Sequence, residues 1–196
     1  MTQVSIAELV AGVREGKVIS FPTDTVPALA ALPENAELIF TVKQRSTDKP
    51  LILMAADSEQ IWHFVKGSQE EYEIWQMVAD KYWAGALTLV LPASTKVPSC
   101  MNPNDPTTIG VRVPRSDIAR RVLAQTGPLA TTSANLSGKP PLQTIGEIEA
   151  EFPNILTLTT TAYDSETPAI GIPSTVAKWD DGKWLILRQG AVKLDF

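Results

Sequence analysis

The sequence predicts an α/β chain folded as one domain over residues 1–196. Helix-period and strand-period segments alternate along it, 44% of its 196 residues are hydrophobic, and no repeat, low-complexity tract or linker divides it. A chain of this length and apolar content can bury one sizeable core. The net charge of −5 argues against a protein that coats nucleic acid electrostatically, leaving weak or transient RNA contact at most. The lone Cys100 cannot form an internal disulfide, and no run of Cys and His has zinc or iron–sulfur spacing. No apolar window approaches the roughly 20 residues that cross a bilayer, and the first residues contain no leader-type apolar core. The expected compartment is therefore the cytoplasm, without a membrane partner.

Each element has its own signal. Ser5-Ile-Ala-Glu8 is a capping box, and Ile6, Leu9, Val10 and Val13 follow at helical spacing until Gly16. Residues 18–21 read as a buried strand broken by Pro22. Helical spacing returns over 35–42, a strand over 51–55, and helices over 58–65 and 68–82, the last opened by a Ser68–Glu71 capping box. Its stripe of Tyr72, Trp75, Val78, Ala79 and Tyr82 reads as core. Strands follow over 87–91 and 108–113, separated by a polar, proline-rich stretch over 92–106 whose plainest reading is a mobile loop. A helix over 116–125 and a strand ending at Leu129-Ala130 come next. The stretch 128–138 (PLATTSANLSG) then places hydroxyls and an amide in a turn. Thr144–Glu147 caps a short helix, 155–158 is a short strand, and 159–173 reads as a loop or flap. Asp181-Gly182 marks a tight hairpin between strands ending at Trp179 and beginning at Trp184.

Chemistry gathers at the ends of these elements. Hydroxyls stand at Thr23, Thr25, Ser133, Ser174 and Thr175, and cations at Lys43, Arg45, Lys49, Arg112 and Arg188. Each has a bland alternative. Thr23 or Asp24 could simply make an Asx-type turn or helix cap, Lys43 and Arg45 could answer a helix dipole, and the hydroxyls of 131–137 could bond their own backbone. Arg112 faces away from Val111 and Val113 inside an apolar run, so its guanidinium needs an anion. That anion is either an internal carboxylate or a carboxylate or phosphate ligand. The sole histidine, His63, has no nucleophile-plus-acid pattern around it, and no Walker A or Gly-x-Gly-x-x-Gly turn is present. Such a set suits binding a nucleotide polyphosphate with a small acid better than hydrolysis by an activated side chain.

In order, FPTDTV at 21–26, KQR at 43–45, KPL at 49–51, WAGALT at 83–88, IGVRVP at 109–114, TSANLSG at 132–138, PSTV at 173–176 and RQG at 188–190 resemble the YrdC/TsaC family, the threonylcarbamoyl-AMP synthases of tRNA modification. The resemblance implies a single α/β domain with a twisted, mostly mixed sheet flanked by helices around an open cationic cleft. Ending just past RQG, the chain resembles the family's short form, without its extra C-terminal domain. The implied reaction joins L-threonine, bicarbonate or carbon dioxide, and ATP into L-threonylcarbamoyladenylate and pyrophosphate, with Mg²⁺ accompanying ATP. By position, Thr25, Arg112, Thr131 and Ser174 would contact threonine. Arg45, Lys49, Thr108, Ser133, Asn135 and Arg188 would contact ATP. Lys43, Arg45 and Arg112 would carry catalysis, Lys43 by meeting phosphate charge in the transition state, and Asp24 could help hold Mg²⁺. A separate threonylcarbamoyl-transferase complex would carry the product to position 37 of tRNA. Two departures stand out: Pro27-Ala28 replaces the family's usual Tyr-Gly, and Met54 stands where some members carry histidine. The alternative reading is a non-catalytic paralogue that binds RNA, including double-stranded RNA, or a nucleotide.

Overall fold

The computed structural model describes residues 2–159 and 169–195. In chain order its elements are β1 (Gln3–Val4), α1 (Ile6–Arg14), β2 (Ile19–Phe21), β3 (Ala28–Ala31), α2 (Ala36–Val42), β4 (Ile52–Met54), α3 (Ser58–Trp62), α4 (Gln69–Tyr82) and β5 (Leu87–Pro92). They continue with β6 (Thr108–Arg112), α5 (Asp117–Thr126), β7 (Leu129–Ser133), α6 (Ile145–Glu151), β8 (Thr157–Leu158), β9 (Thr175–Asp180) and β10 (Lys183–Arg188). All three capping boxes form, at Ser5, Ser68 and Thr144, each with its glutamate returning to the N-cap amide.

Eight strands make one mixed sheet in the order β10-β9-β5-β6-β4-β7-β3-β2. The β9–β5 and β6–β4 pairs are parallel and the other five antiparallel. β1 and β8 form a small parallel pair joined to the large sheet by a bridge between Ile19 and Leu156. Both residues of the β9–β10 turn, Asp181 and Gly182, have positive φ, the geometry of a type I′ hairpin.

Strand alternation sends side chains to two cores. On one face Leu53, Leu87, Leu89, Leu91, Ile109, Val111, Ala130 and Ala177 pack with Ile39 and Phe40 of α2, Ile61 of α3 and Trp75 of α4. On the other face α1 and α5 cover Ile19, Phe21, Ala28, Ala30, Met54 and Leu129. That second cover stops short. Thr88 and Val90 of β5, Gly110 of β6 and Val176 and Lys178 of β9 alternate with core residues, and they floor a cleft instead. The five indoles meet on the first face: Trp62 stacks on Trp83, Trp75 meets Trp179 edge-on, and Trp179 meets Trp184.

Several expectations change. β3 falls where no strand was expected, and β7 runs on through Ser133, so Thr131, Thr132 and Ser133 are strand residues rather than turn residues. α3 stops at Trp62, and Val65 instead bridges Ala93. Part of the stretch 92–106 is anchored: a 3-10 turn over Ser99–Met101 buries Met101, whose carbonyl accepts the Leu51 amide at 2.9 Å, while residues 103–106 stay exposed. The expected flap over 159–173 falls largely outside the described residues.

Candidate functional site

Four chain segments end at the uncovered half of the sheet. After β2 the chain turns at Pro22, where Thr23 makes the local turn. Its hydroxyl donates to the Val26 carbonyl at 2.7 Å and accepts the Thr25 amide at 3.1 Å. Asp24 caps nothing there. Its carboxylate crosses to Arg112, at 2.8 Å, and accepts the Arg115 amide at 3.0 Å. The Arg112 guanidinium also donates to the Thr25 hydroxyl at 2.9 Å and, through Nε, to the Gly85 carbonyl at 3.0 Å. Arg112 therefore has the internal carboxylate partner that its apolar surroundings demand, and it still lines the cleft. Burial pushes its pKa down, and the Asp24 carboxylate opposes that shift.

Beyond α2, Gln44 takes a positive φ and turns the chain, and Arg45 donates to the Lys49 and Pro50 carbonyls at 3.0 and 3.1 Å, closing the loop. Across the cleft Arg188 forks onto the Ser174 carbonyl through Nε at 3.1 Å and Nη2 at 2.8 Å, while the Ser174 hydroxyl meets that of Thr88 at 2.8 Å. The glycine of the RQG stretch is required here, since a Cβ on Gly190 would stand 2.3 Å from the Pro173 carbonyl oxygen.

The resulting cleft, about 570 Å³, brings together Thr25, Arg45, Thr108, Arg112, Thr131, Ser133, Ser174 and Arg188. Lys43, Lys49 and Asn135 are not on its lining. Lys43 is fully buried, donating to the Ser133 carbonyl and, at 3.3 Å, to Asn135 Oδ1. Burial, with Arg45 nearby, pushes its pKa down to about 7. Asn135 accepts the Ser133 hydroxyl at 2.5 Å and donates to the Leu136 and Lys139 carbonyls, so it shapes the turn after β7. Lys49 is exposed beside Asp48 and Pro50, which do line the cleft.

The lining also holds residues that sequence reasoning passed over: Asp48, Thr88, Asn102, Asp105 and Lys178. Thr88 had a signal, a hydroxyl inside the apolar run LTLVL. Asn102 and Asp105 lay in the stretch read as mobile. Asn102 donates to the Thr108 hydroxyl at 3.2 Å, which donates in turn to Asp105 at 3.2 Å. Both departures from the resemblance sit here too, Pro27-Ala28 and Met54 all lining the cleft. Among the described residues no three His, Cys, Asp or Glu side chains are placed to hold a metal ion together. Nor is any helix long and apolar enough to cross a membrane.

A family model for Sua5/YciO/YrdC proteins, described as "Telomere recombination", matches residues 12–190. The chain belongs to the Sua5/YciO/YrdC family. A family member from Pyrococcus abyssi, named threonylcarbamoyl-AMP synthase, is 37% identical over 93% of this chain and 53% of its own. This chain thus spans about half the length of that relative. One of the same name from Vibrio campbellii is 33% identical over 93% of this chain and 97% of its own. Among solved family structures, that of P. abyssi Sua5 complexed with L-threonine has a TM-score of 0.82 and 34% identity, covering 94% of this chain and 54% of that one.

Proposed function

We propose that this member of the Sua5/YciO/YrdC family is an L-threonylcarbamoyladenylate synthase, a nucleotidyl-transferring enzyme that takes L-threonine, bicarbonate or carbon dioxide, and ATP. The observation that carries the reading is the cleft itself, which gathers Thr25, Arg45, Arg112, Ser133, Ser174 and Arg188 from segments far apart in sequence. The name shared by the relatives supports it, as does the L-threonine bound in the similar P. abyssi structure.

The chemistry asks for alignment and charge neutralisation rather than an activated side chain. The threonine amine adds to carbon dioxide and loses a proton, giving a carbamate. A carbamate oxygen then attacks the α-phosphorus, and the bond to the β-phosphate oxygen breaks, so pyrophosphate leaves with the electron pair. Arg112 with Thr25 and Ser174 holds the threonine carboxylate, with Thr131 beside them. Arg45, Thr108, Ser133 and Arg188 hold the nucleotide, and exposed Lys49 reaches its phosphates from the rim. Lys43 and Asn135 act from behind the lining, by fixing the Ser133 end of β7. Mg²⁺ enters as part of the ATP substrate. Transfer to tRNA falls to a separate complex, in the cytoplasm.

Pyrophosphate release by the purified chain with Mg²⁺ and ATP, omitting L-threonine and bicarbonate in turn, tests the reading. Release that needs both is the expected result. ATP bound without release under any combination would overturn it in favour of a non-catalytic nucleotide- or RNA-binding paralogue.

A further inference from the structure

The Arg112–Asp24 pair forms a wall between two hollows. Arg112 lines the cleft, while Asp24 does not; it lines a neighbouring hollow of about 380 Å³ with Lys81, Trp83 and Arg115. The carboxylate therefore meets the guanidinium from behind. A guanidinium has five N–H donors. Gly85, Thr25 and Asp24 each take one, leaving two without a partner among the described residues, one on each terminal nitrogen.

Asp24 is itself held. Its Oδ1 accepts the Arg115 amide, and its main-chain carbonyl accepts the Ile170 amide at 3.1 Å. The neighbouring Thr25 carbonyl accepts Gly171 at 2.8 Å. The side chains of the pair are only 5% and 13% exposed, so the attraction is little screened and its geometry is fixed.

From this geometry we propose that Asp24 is a positioning residue. It aims Arg112 so that the two remaining N–H donors meet a substrate carboxylate in the cleft, and it keeps the buried pair neutral. The proposal rests on the reading that Arg112 receives the threonine carboxylate. It gives Asp24, which sequence reasoning offered to Mg²⁺, a part played through Arg112 instead. A zwitterionic amino acid then meets a neutral pair there.

The test compares wild type with Asp24→Asn and Asp24→Glu in the full chain, using two separate readouts. One is reaction of Arg112 with phenylglyoxal, located by mass spectrometry. The other is the affinity for L-threonine and for ATP, each by calorimetry. In Asp24→Asn, Arg112 becomes reactive and L-threonine affinity falls roughly tenfold to a hundredfold, the scale expected for a displaced binding group. ATP affinity falls by less than L-threonine affinity, because Arg188 on the nucleotide side feels Arg112 only through space, while Arg112 itself meets the threonine carboxylate. Asp24→Glu recovers part of the threonine affinity, and it carries the same two readouts if Asp24→Asn does not fold. Arg112 staying unreactive with threonine affinity unchanged would overturn the proposal, as would equal losses for both ligands in a folded variant. If wild type binds no L-threonine, the proposed function fails and the phenylglyoxal readout alone decides whether Asp24 holds Arg112.

Discussion

Lys43 is fully enclosed, and its amine faces the Ser133 carbonyl and Asn135 with no carboxylate partner among the described residues. With its pKa pushed down to about 7, it is close to half-protonated at neutral pH. In the unfolded chain the ordinary value, 10.5, applies, so between the two the unfolded state binds more protons and stability rises with pH. Urea unfolding at pH 7 and pH 9 should show a gain of about 2 kcal/mol from this group, and Lys43→Met should remove that part of the slope. An unchanged slope in the variant would mean that Lys43 is not the titrating group. At this scale the sequence was half legible. It marked Arg112 as needing an anion but could not choose between an internal carboxylate and a ligand, because Asp24 lies 88 residues away. It likewise marked Lys43 and Asn135 as polar but not as buried, since burial is settled by how β7 and α2 meet.

Elements with local signals were legible, and those made by tertiary pairing were not. Ser68 and Glu71 announce the start of α4 because a capping box is complete within four residues. Ser68→Ala should cost about 1 kcal/mol, read as a lower urea midpoint with unchanged slope. An unaltered midpoint would show that the Glu71 contacts to the Ser68 amide and Trp179 suffice. β3 gives no such signal. Ala-Leu-Ala-Ala favours a helix by propensity, and only its place between β2 and β7 makes it extended. Similarly, the stretch 92–106 looks loose from its prolines, yet Met101 is anchored under β4 by the Leu51 amide.

For the whole molecule, the decisive arrangement is a sheet whose second face is only partly roofed by α1 and α5. The alternation of β5, β6 and β9 was readable; which half would stay bare was not, since that depends on where the two helices dock. Gly110 sits on the bare half. A Cβ there would meet Ile52 and Thr88 at an ordinary 3.5 Å, so the strand tolerates a side chain, but the further atoms of a valine would occupy the cleft. Gly110→Val should keep its melting temperature within a few degrees and lose about tenfold or more in ligand affinity. Unaltered affinity would place the bound ligand away from β6. None of the five tryptophans lines the cleft, although Trp83 lines the neighbouring hollow with Asp24. Light absorbed by one indole can pass to the next through Trp179 and Trp184, so intrinsic emission reports on the packing of α4 against the β9–β10 hairpin. A ligand filling the cleft would leave the emission of Trp75, Trp179 and Trp184 almost dark to its arrival, and Trp83, beside the hollow behind the Arg112–Asp24 pair, is the indole placed to report it.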